Sequence, residues 1–171
     1  PMGIGVGIAG VPFYGHDIAG YLSDFAAPVD KELFYRWAAL GAFSPIMRAH
    51  GGTIKERNWN ALTDADTAAF YAELGRRRVR LFPYLYAIAD EGVRRGLPMM
   101  RPAWLHFPDE PELLADDQTF LLGPSLLVAP VVERGATMRT VRLPAGTWFD
   151  LQDGTAVAGG AEVTLDAPIE K

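Results

Sequence analysis

Gly96-Leu97-Pro98 divides this chain into two stretches of different periodicity. Upstream, apolar residues at three-and-four spacing alternate with short apolar runs, the pattern of a parallel α/β architecture. Downstream, helical spacing is gone. Short apolar runs follow at residues 99–107, 119–122, 126–132, 138–143, 147–150 and 162–165, separated by Pro, Gly and Asp. That spacing predicts an antiparallel all-β unit. The chain therefore divides into residues 1–95 and residues 96–171. A hydrophobic share of 49% is enough for a core, and 18 glycines with 13 prolines supply the turns that short strands need.

Within the first stretch, residues 2–8 read as the end of a buried helix and 10–15 as a short buried strand, with Pro12 unsuited to a plain antiparallel ladder. Asp30 can cap a helix over residues 31–42, with Leu33, Phe34, Trp37, Leu40 and Gly41 at the spacing of a buried face. Residues 44–47 give a second strand. Thr63-Asp64-Ala65-Asp66 has the form of a capping box. It opens one helix reaching about Arg95, with Phe70, Leu74, Leu81, Leu85 and Ile88 on one face and a kink at Pro83. Arg94 and Arg95 complement its negative end before Gly96.

Two strands run directly into polar residues, Gly15-His16-Asp17 in one case and Arg48-Ala49-His50 in the other. In parallel α/β folds the carboxyl ends of strands open onto a shared cleft. A carboxylate accepts from two hydroxyls and an imidazole donates or accepts, so Asp17 and His50 are candidates for holding sugar hydroxyls. Each also has a plainer reading: Asp17 as a loop carboxylate capping an amide, His50 as a turn histidine beside two glycines. His16 and His106 read as structural. Arg76, Arg77, Arg78 and Arg80 read as a solvated helix face. The acids at 109, 110, 112, 116 and 117 read as turn residues.

A net charge of −5, with no basic stripe, argues against a nucleic-acid partner. There is no cysteine, and the three histidines lie far apart without metal-ligand spacing, so no metal or other cofactor is expected. The uncharged stretch 1–15 holds five glycines and two prolines, which unfits it for a spanning helix of about 20 apolar residues, and no membrane partner is expected. Pro1 in place of Met, and a composition that does not loosen toward Lys171, lead us to expect a piece of a longer protein.

Several strings then coincide. Gly10-Val11-Pro12-Phe13-Tyr14-Gly15-His16-Asp17-Ile18-Ala19-Gly20-Tyr21 is followed by Glu32-Leu33-Phe34-Tyr35-Arg36-Trp37 and Leu40-Gly41-Ala42-Phe43-Ser44-Pro45-Ile46-Met47-Arg48-Ala49-His50. Pro83-Tyr84-Leu85-Tyr86, Gly96-Leu97-Pro98-Met99-Met100-Arg101-Pro102, Asp117-Gln118-Thr119-Phe120-Leu121-Leu122-Gly123-Pro124, Leu127-Val128-Ala129-Pro130-Val131 and Leu143-Pro144-Ala145-Gly146-Thr147-Trp148-Phe149-Asp150 come next. In this order and spacing the chain resembles glycoside hydrolase family 31, which holds retaining α-glucosidases, α-xylosidases and a few lyases and transferases.

The resemblance implies the C-terminal part of a (β/α)8 TIM barrel, followed by an incomplete antiparallel β-sandwich. Residues 11–15 would be barrel strand seven, 44–47 strand eight, and the helix from Asp64 would close the barrel. It implies that Asp17 and His50 hydrogen-bond a sugar at subsite −1, that Tyr21 lines the pocket where the family usually has Phe, and that Arg48 supports the site. Glu56 and Trp59 resemble part of a frequent Arg-Glu-Pro-Trp string, with Asn58 in place of its proline, and Ala19 stands where a glycine is frequent. The nucleophile and the acid/base, both aspartates, would lie upstream of Pro1, so no residue here is expected to be catalytic. The implied activity is hydrolysis of α-linked glucosides or xylosides by double displacement, with a carbohydrate as the partner. A non-catalytic carbohydrate-binding module, or lyase or transglycosylase chemistry on the same scaffold, stays open at this point.

Overall fold

A computed structural model describes residues 2–21, 27–50 and 58–171. Glu56 lies outside the described residues, as do parts of the two loops at 17–29 and 51–62. Helix α1 (Met2–Ile8) leads to strand β1 (Gly15–Ile18), helix α2 (Lys31–Ala42) and strand β2 (Ile46–Ala49). β1 and β2 pair in parallel, Gly15 opposite Ile46 and Ile18 opposite Ala49.

Both strands begin later than the sequence suggests. Val11 and Phe13 are half-exposed rather than buried in a strand. Pro12 has no N–H to pair, and its carbonyl accepts from the Met99 amide at 3.3 Å. Ser44 belongs to the end of α2: its amide bonds the Gly41 carbonyl and its hydroxyl the Leu40 carbonyl. Pairing starts only where Gly15 lets the strands close, since a Cβ there would stand 2.6 Å from the Ile46 Cβ. Asp17 and Arg48 consequently sit inside the strands, opposite each other.

Asp30 caps α2 as its sequence implies, Oδ1 accepting from the Leu33 amide at 2.9 Å. The buried face is centred one row over from the expected one. Phe34, Tyr35, Ala38, Gly41 and Ala42 are buried, whereas Leu33 is 44% exposed. Gly41 permits this contact, because a Cβ there would meet Ile18 Cδ1 at 2.8 Å.

The long helix is two helices, α3 (Ala65–Arg80) and α4 (Phe82–Arg95). Pro83 lies in the first turn of α4, where its missing N–H costs nothing, so it starts a helix rather than kinking one. The cap of α3 is Asp64, not Thr63. Asp64 Oδ1 accepts from the Thr67 amide at 2.7 Å, while the Thr63 hydroxyl accepts from the Asn60 amide one turn earlier. The apolar face divides accordingly. Phe70 and Leu74 pack with Ile18, Phe34 and Tyr35; Leu81, Leu85 and Ile88 pack with Ile4, Met99, Met100, Phe120 and Leu122. Gly96 ends α4 in the left-handed region, at φ 72°.

Beyond it, β3 (Met100–Arg101), β4 (Phe120–Leu122) and β5 (Leu126–Val128) form an antiparallel sheet in that order. Pro102 and Pro130 shorten the first and third of these runs. β6 (Met138–Leu143) pairs with β9 (Ala161–Asp166), and β7 (Thr147–Phe149) with β8 (Ala156–Ala158), a short strand the sequence did not announce. This β-rich half folds back on α2. Arg134 pairs with Asp30, the Gly135 amide donates to Glu32 at 2.8 Å, and Arg36 donates to the Ala136 and Pro168 carbonyls at 2.6 and 2.9 Å.

Candidate sugar-binding site

The carboxyl ends of β1 and β2 bring Asp17, Arg48, His50 and Tyr21 into one patch. Asp17 and Arg48 are register partners, and Arg48 Nε donates to Asp17 Oδ1 at 2.5 Å. The Asp17 side chain is 16% exposed and that of Arg48 58%. The Arg48 hydrogen bond holds the Asp17 carboxyl below its ordinary value against the opposing effect of burial, and the charges of Arg48, His50 and His16 add to it. Asp17 raises the pKa of Arg48 in return. Asp17 is thus an anion with a fixed orientation. A carboxylate has about four acceptor positions, and Arg48 occupies one.

Tyr21 reaches the patch through a tight turn. The Gly20 amide bonds the Asp17 carbonyl at 2.8 Å, and both Ala19 and Gly20 have positive φ, 66° and 98°. The turn brings the Tyr21 ring to 4.4 Å from His50 between centroids, tilted by 41°. Tyr21 remains 53% exposed. The patch therefore offers an anionic acceptor, a guanidinium, an imidazole and a phenol beside one another, the groups that a polyol needs.

His16 is held behind the patch and not in it. Trp37 Nε1 donates to its Nδ1 at 2.6 Å, and its Nε2 stands 3.3 Å from the Ser44 hydroxyl. Burial lowers its pKa, with Asp17 opposing. Trp59, in the string following β2, packs behind α2, its indole donating to the Thr67 hydroxyl at 3.0 Å.

Two arginines do structural work that the sequence does not announce. Arg78 is no solvated residue. Nη1 donates to the Ala42 and Ser44 carbonyls at 3.0 and 2.6 Å, and Nη2 to Pro45 at 2.6 Å. It thereby holds the turn that launches β2, while Arg76 and Arg77 bond Glu73 on the outer face. Arg101, fully buried, pairs with Glu91 at 2.6 Å and donates to the Pro98 carbonyl at 2.7 Å, with His106 Nε2 at 3.1 Å. Local spacing carries no signal for Arg78, whose partners lie at the end of α2 and in the turn after it, or for the ion pair that joins Arg101 on β3 to Glu91 on α4. Among the described residues no three His, Cys, Asp or Glu side chains gather as a metal site, and no helix is long and apolar enough to cross a membrane.

Comparison with known proteins bears on both halves. Residues 1–88 match the family model for the TIM-barrel domain of glycosyl hydrolases family 31, and residues 96–171 match that for the family's C-terminal domain. A sulfoquinovosidase of Agrobacterium fabrum is 37% identical over 164 residues, covering 95% of this chain and 25% of the relative. A probable alpha-glucosidase of Oryza sativa subsp. japonica is 39% identical over 169 residues, covering 96% and 18%. The solved structure of a sulfoquinovosidase from E. rectale, in complex with an aza-sugar inhibitor, superposes with a TM-score of 0.93 at 32% identity, over 98% of this chain and 25% of that one. The chain thus spans about a quarter or less of these relatives' length. The parallel β1–β2 pair with its helices is part of a (β/α)8 barrel, and the antiparallel strands after it belong to the family's C-terminal domain. With both parts matched in order along nearly every residue, this chain belongs to glycoside hydrolase family 31.

Proposed function

We propose that this chain builds the strand-seven and strand-eight side of subsite −1 in a retaining α-glycosidase. In this reading residues 1–95 end the catalytic barrel and 96–171 begin the β-sandwich. The observation that carries it is the meeting of Asp17, Arg48, His50 and Tyr21 at the carboxyl ends of two adjacent parallel strands, the end of a barrel at which sites are built. Asp17 accepts from sugar hydroxyls, and Arg48 fixes its charge and direction. His50 adds a second polar contact, and the Tyr21 ring forms a wall against it.

The reacting groups come from elsewhere in the polypeptide. In double displacement one carboxylate attacks the anomeric carbon and forms a glycosyl-enzyme, while the other protonates the departing oxygen and then activates water, the pair standing about 5–5.5 Å apart. As the ring flattens toward the oxocarbenium ion its hydroxyls become better donors. The Asp17 contact then tightens in the transition state and lowers the barrier, rather than simply lowering KM.

The substrate class is an α-glucoside or α-xyloside, and the sulfoquinovosidases among the relatives add α-sulfoquinovosides to the panel. The test is to follow the anomer first released from aryl α-glycosides of these three sugars by the complete polypeptide, using proton NMR. An α-anomer appearing first is expected. Release of the β-anomer first, or no hydrolysis of any of the three, would reject the proposal.

A further inference from the structure

Asp17 is presented by a strand anchored on both sides of it. Side chains alternate along β1. Ile18 is 2% exposed in the cluster of Phe34, Tyr35 and Ala38, and His16 lies on that same helix-facing side. The His16 anchor is polar and directional. An indole N–H only donates, so Nδ1 must accept from Trp37 and the ring proton must sit on Nε2. Nε2–H then points to the Ser44 oxygen at 3.3 Å, and the Ser44 hydroxyl donates to the Leu40 carbonyl at 2.7 Å. One chain of hydrogen bonds thus joins β1, the middle of α2, and the turn into β2 that Arg78 also clasps.

A protonated imidazole carries hydrogens on both nitrogens. It would set a second N–H against the Trp37 N–H across a 2.6 Å gap, and one of the two would have to withdraw. Few charges surround the ring. Asp17, on its own strand, favours the cation, and Arg78 of α3 sits on the far side of Ser44. Tyr14 lies 6.5 Å away between ring centroids, and uncharged Gln118 of the β-rich half lines one cavity with Tyr14, His16 and Trp37.

We propose that His16, fixed as the neutral Nε2–H tautomer between Trp37 and Ser44, is the positioning residue for Asp17. The inference rests on the reading of Asp17 as a sugar-hydroxyl acceptor. Protonation of His16 breaks the Trp37 bond and loosens the strand one residue from that carboxylate.

The two partners have opposite effects on titration, which provides the test. Trp37→Phe removes a donor that stabilises only the neutral ring, so the His16 pKa rises. Ser44→Ala removes an acceptor that serves the cation more strongly, so it falls. In the complete polypeptide, labelled with 15N-histidine and 13C-aspartate, both residues are followed between about pH 5 and 8, with kcat, KM and Tm measured alongside. In the wild type, neutral Nε2–H is expected. In the wild type the Asp17 carboxyl signal and kcat/KM should follow the His16 titration, with little change in KM; in Trp37→Phe, which lacks the bond at every pH, kcat/KM should already be about tenfold lower at pH 8 and the Asp17 signal should no longer follow the His16 titration. Ser44→Ala, a smaller change in volume that keeps the Trp37 bond, should move the wild-type acid limb to lower pH. An Nδ1–H tautomer, a wild-type Asp17 signal indifferent to His16, or a Trp37→Phe variant that keeps wild-type kcat/KM at pH 8 would overturn the proposal. The NMR readout does not need turnover. A polypeptide that hydrolyses none of the glycosides would remove the reading of the site, and the Asp17 signal would still decide whether His16 controls its carboxylate.

Discussion

Ala19 shows how a single residue records the demands of the site. At φ 66° it occupies a region that strains any residue with a Cβ, in the turn that swings Tyr21 over His50. The resemblance places a frequent glycine there. Ala19→Gly should therefore raise stability by about 1 kcal/mol, read as an increase in Tm, without moving Tyr21. Arg48 makes the matching electrostatic point. Its hydrogen bond lowers the Asp17 pKa, so the pair contributes stability above the unfolded carboxyl value near 3.9 and loses it as pH falls through the lower folded value. In Arg48→Met the Asp17 carboxyl should titrate closer to its ordinary value by 13C NMR, while Tm near neutrality hardly moves, since the Arg48 side chain is mostly in solvent. A titration unchanged from wild type would mean that the ion pair does not govern Asp17.

At the scale of elements, what could be read from the sequence divides along the range of the interaction. The Asp30 cap and the Gly96 stop depend on neighbours a few residues away, and both were legible. The start of β1 and β2 was not, because it depends on Gly15 meeting Ile46. The boundary between α3 and α4 was misread because Pro83 has the same spelling in a kink and in a first turn. Asp17 and His50 were visible as polar residues after apolar runs, but their junction with Arg48 and Tyr21 came from the family resemblance, since pattern alone does not give strand register. Arg78 escapes for the same reason: three adjacent arginines with a fourth after Val79 look solvated until one of them reaches the carbonyls at and beyond the end of another helix. Arg78→Met should cost about 2–3 kcal/mol, the loss of a charged donor to several partly buried carbonyls, and Arg78→Lys should recover only part of it for want of the planar fork. Chemical denaturation measures both. Losses near those of Arg76→Met, whose partner is the exposed Glu73, would show that the clasp contributes nothing.

At the scale of the whole molecule, the two halves cohere through α2 and Arg101, yet the barrel part is open. Among the described residues β1 and β2 pair only with each other, and Phe13, Ile46, Val79, Phe82 and Tyr86 are exposed. Open strand edges beside apolar surface promote association. The 171 residues expressed alone should therefore bind a hydrophobic dye, run larger than 18.7 kDa in gel filtration and hydrolyse no α-glycoside. A sharply melting monomer with turnover would contradict the barrel assignment and the placing of both reacting carboxylates upstream. The central claim is that Asp17 acts on the sugar and not on the fold, and the most direct measurement is Asp17→Ala in the complete polypeptide, with Tm and kcat/KM taken on one preparation. A charged hydrogen bond is worth roughly 1.5–3 kcal/mol, and one that tightens in the transition state is worth more. We expect kcat/KM to fall by about a hundredfold or more with Tm nearly unchanged; a destabilised variant that keeps full activity would place Asp17 outside the site.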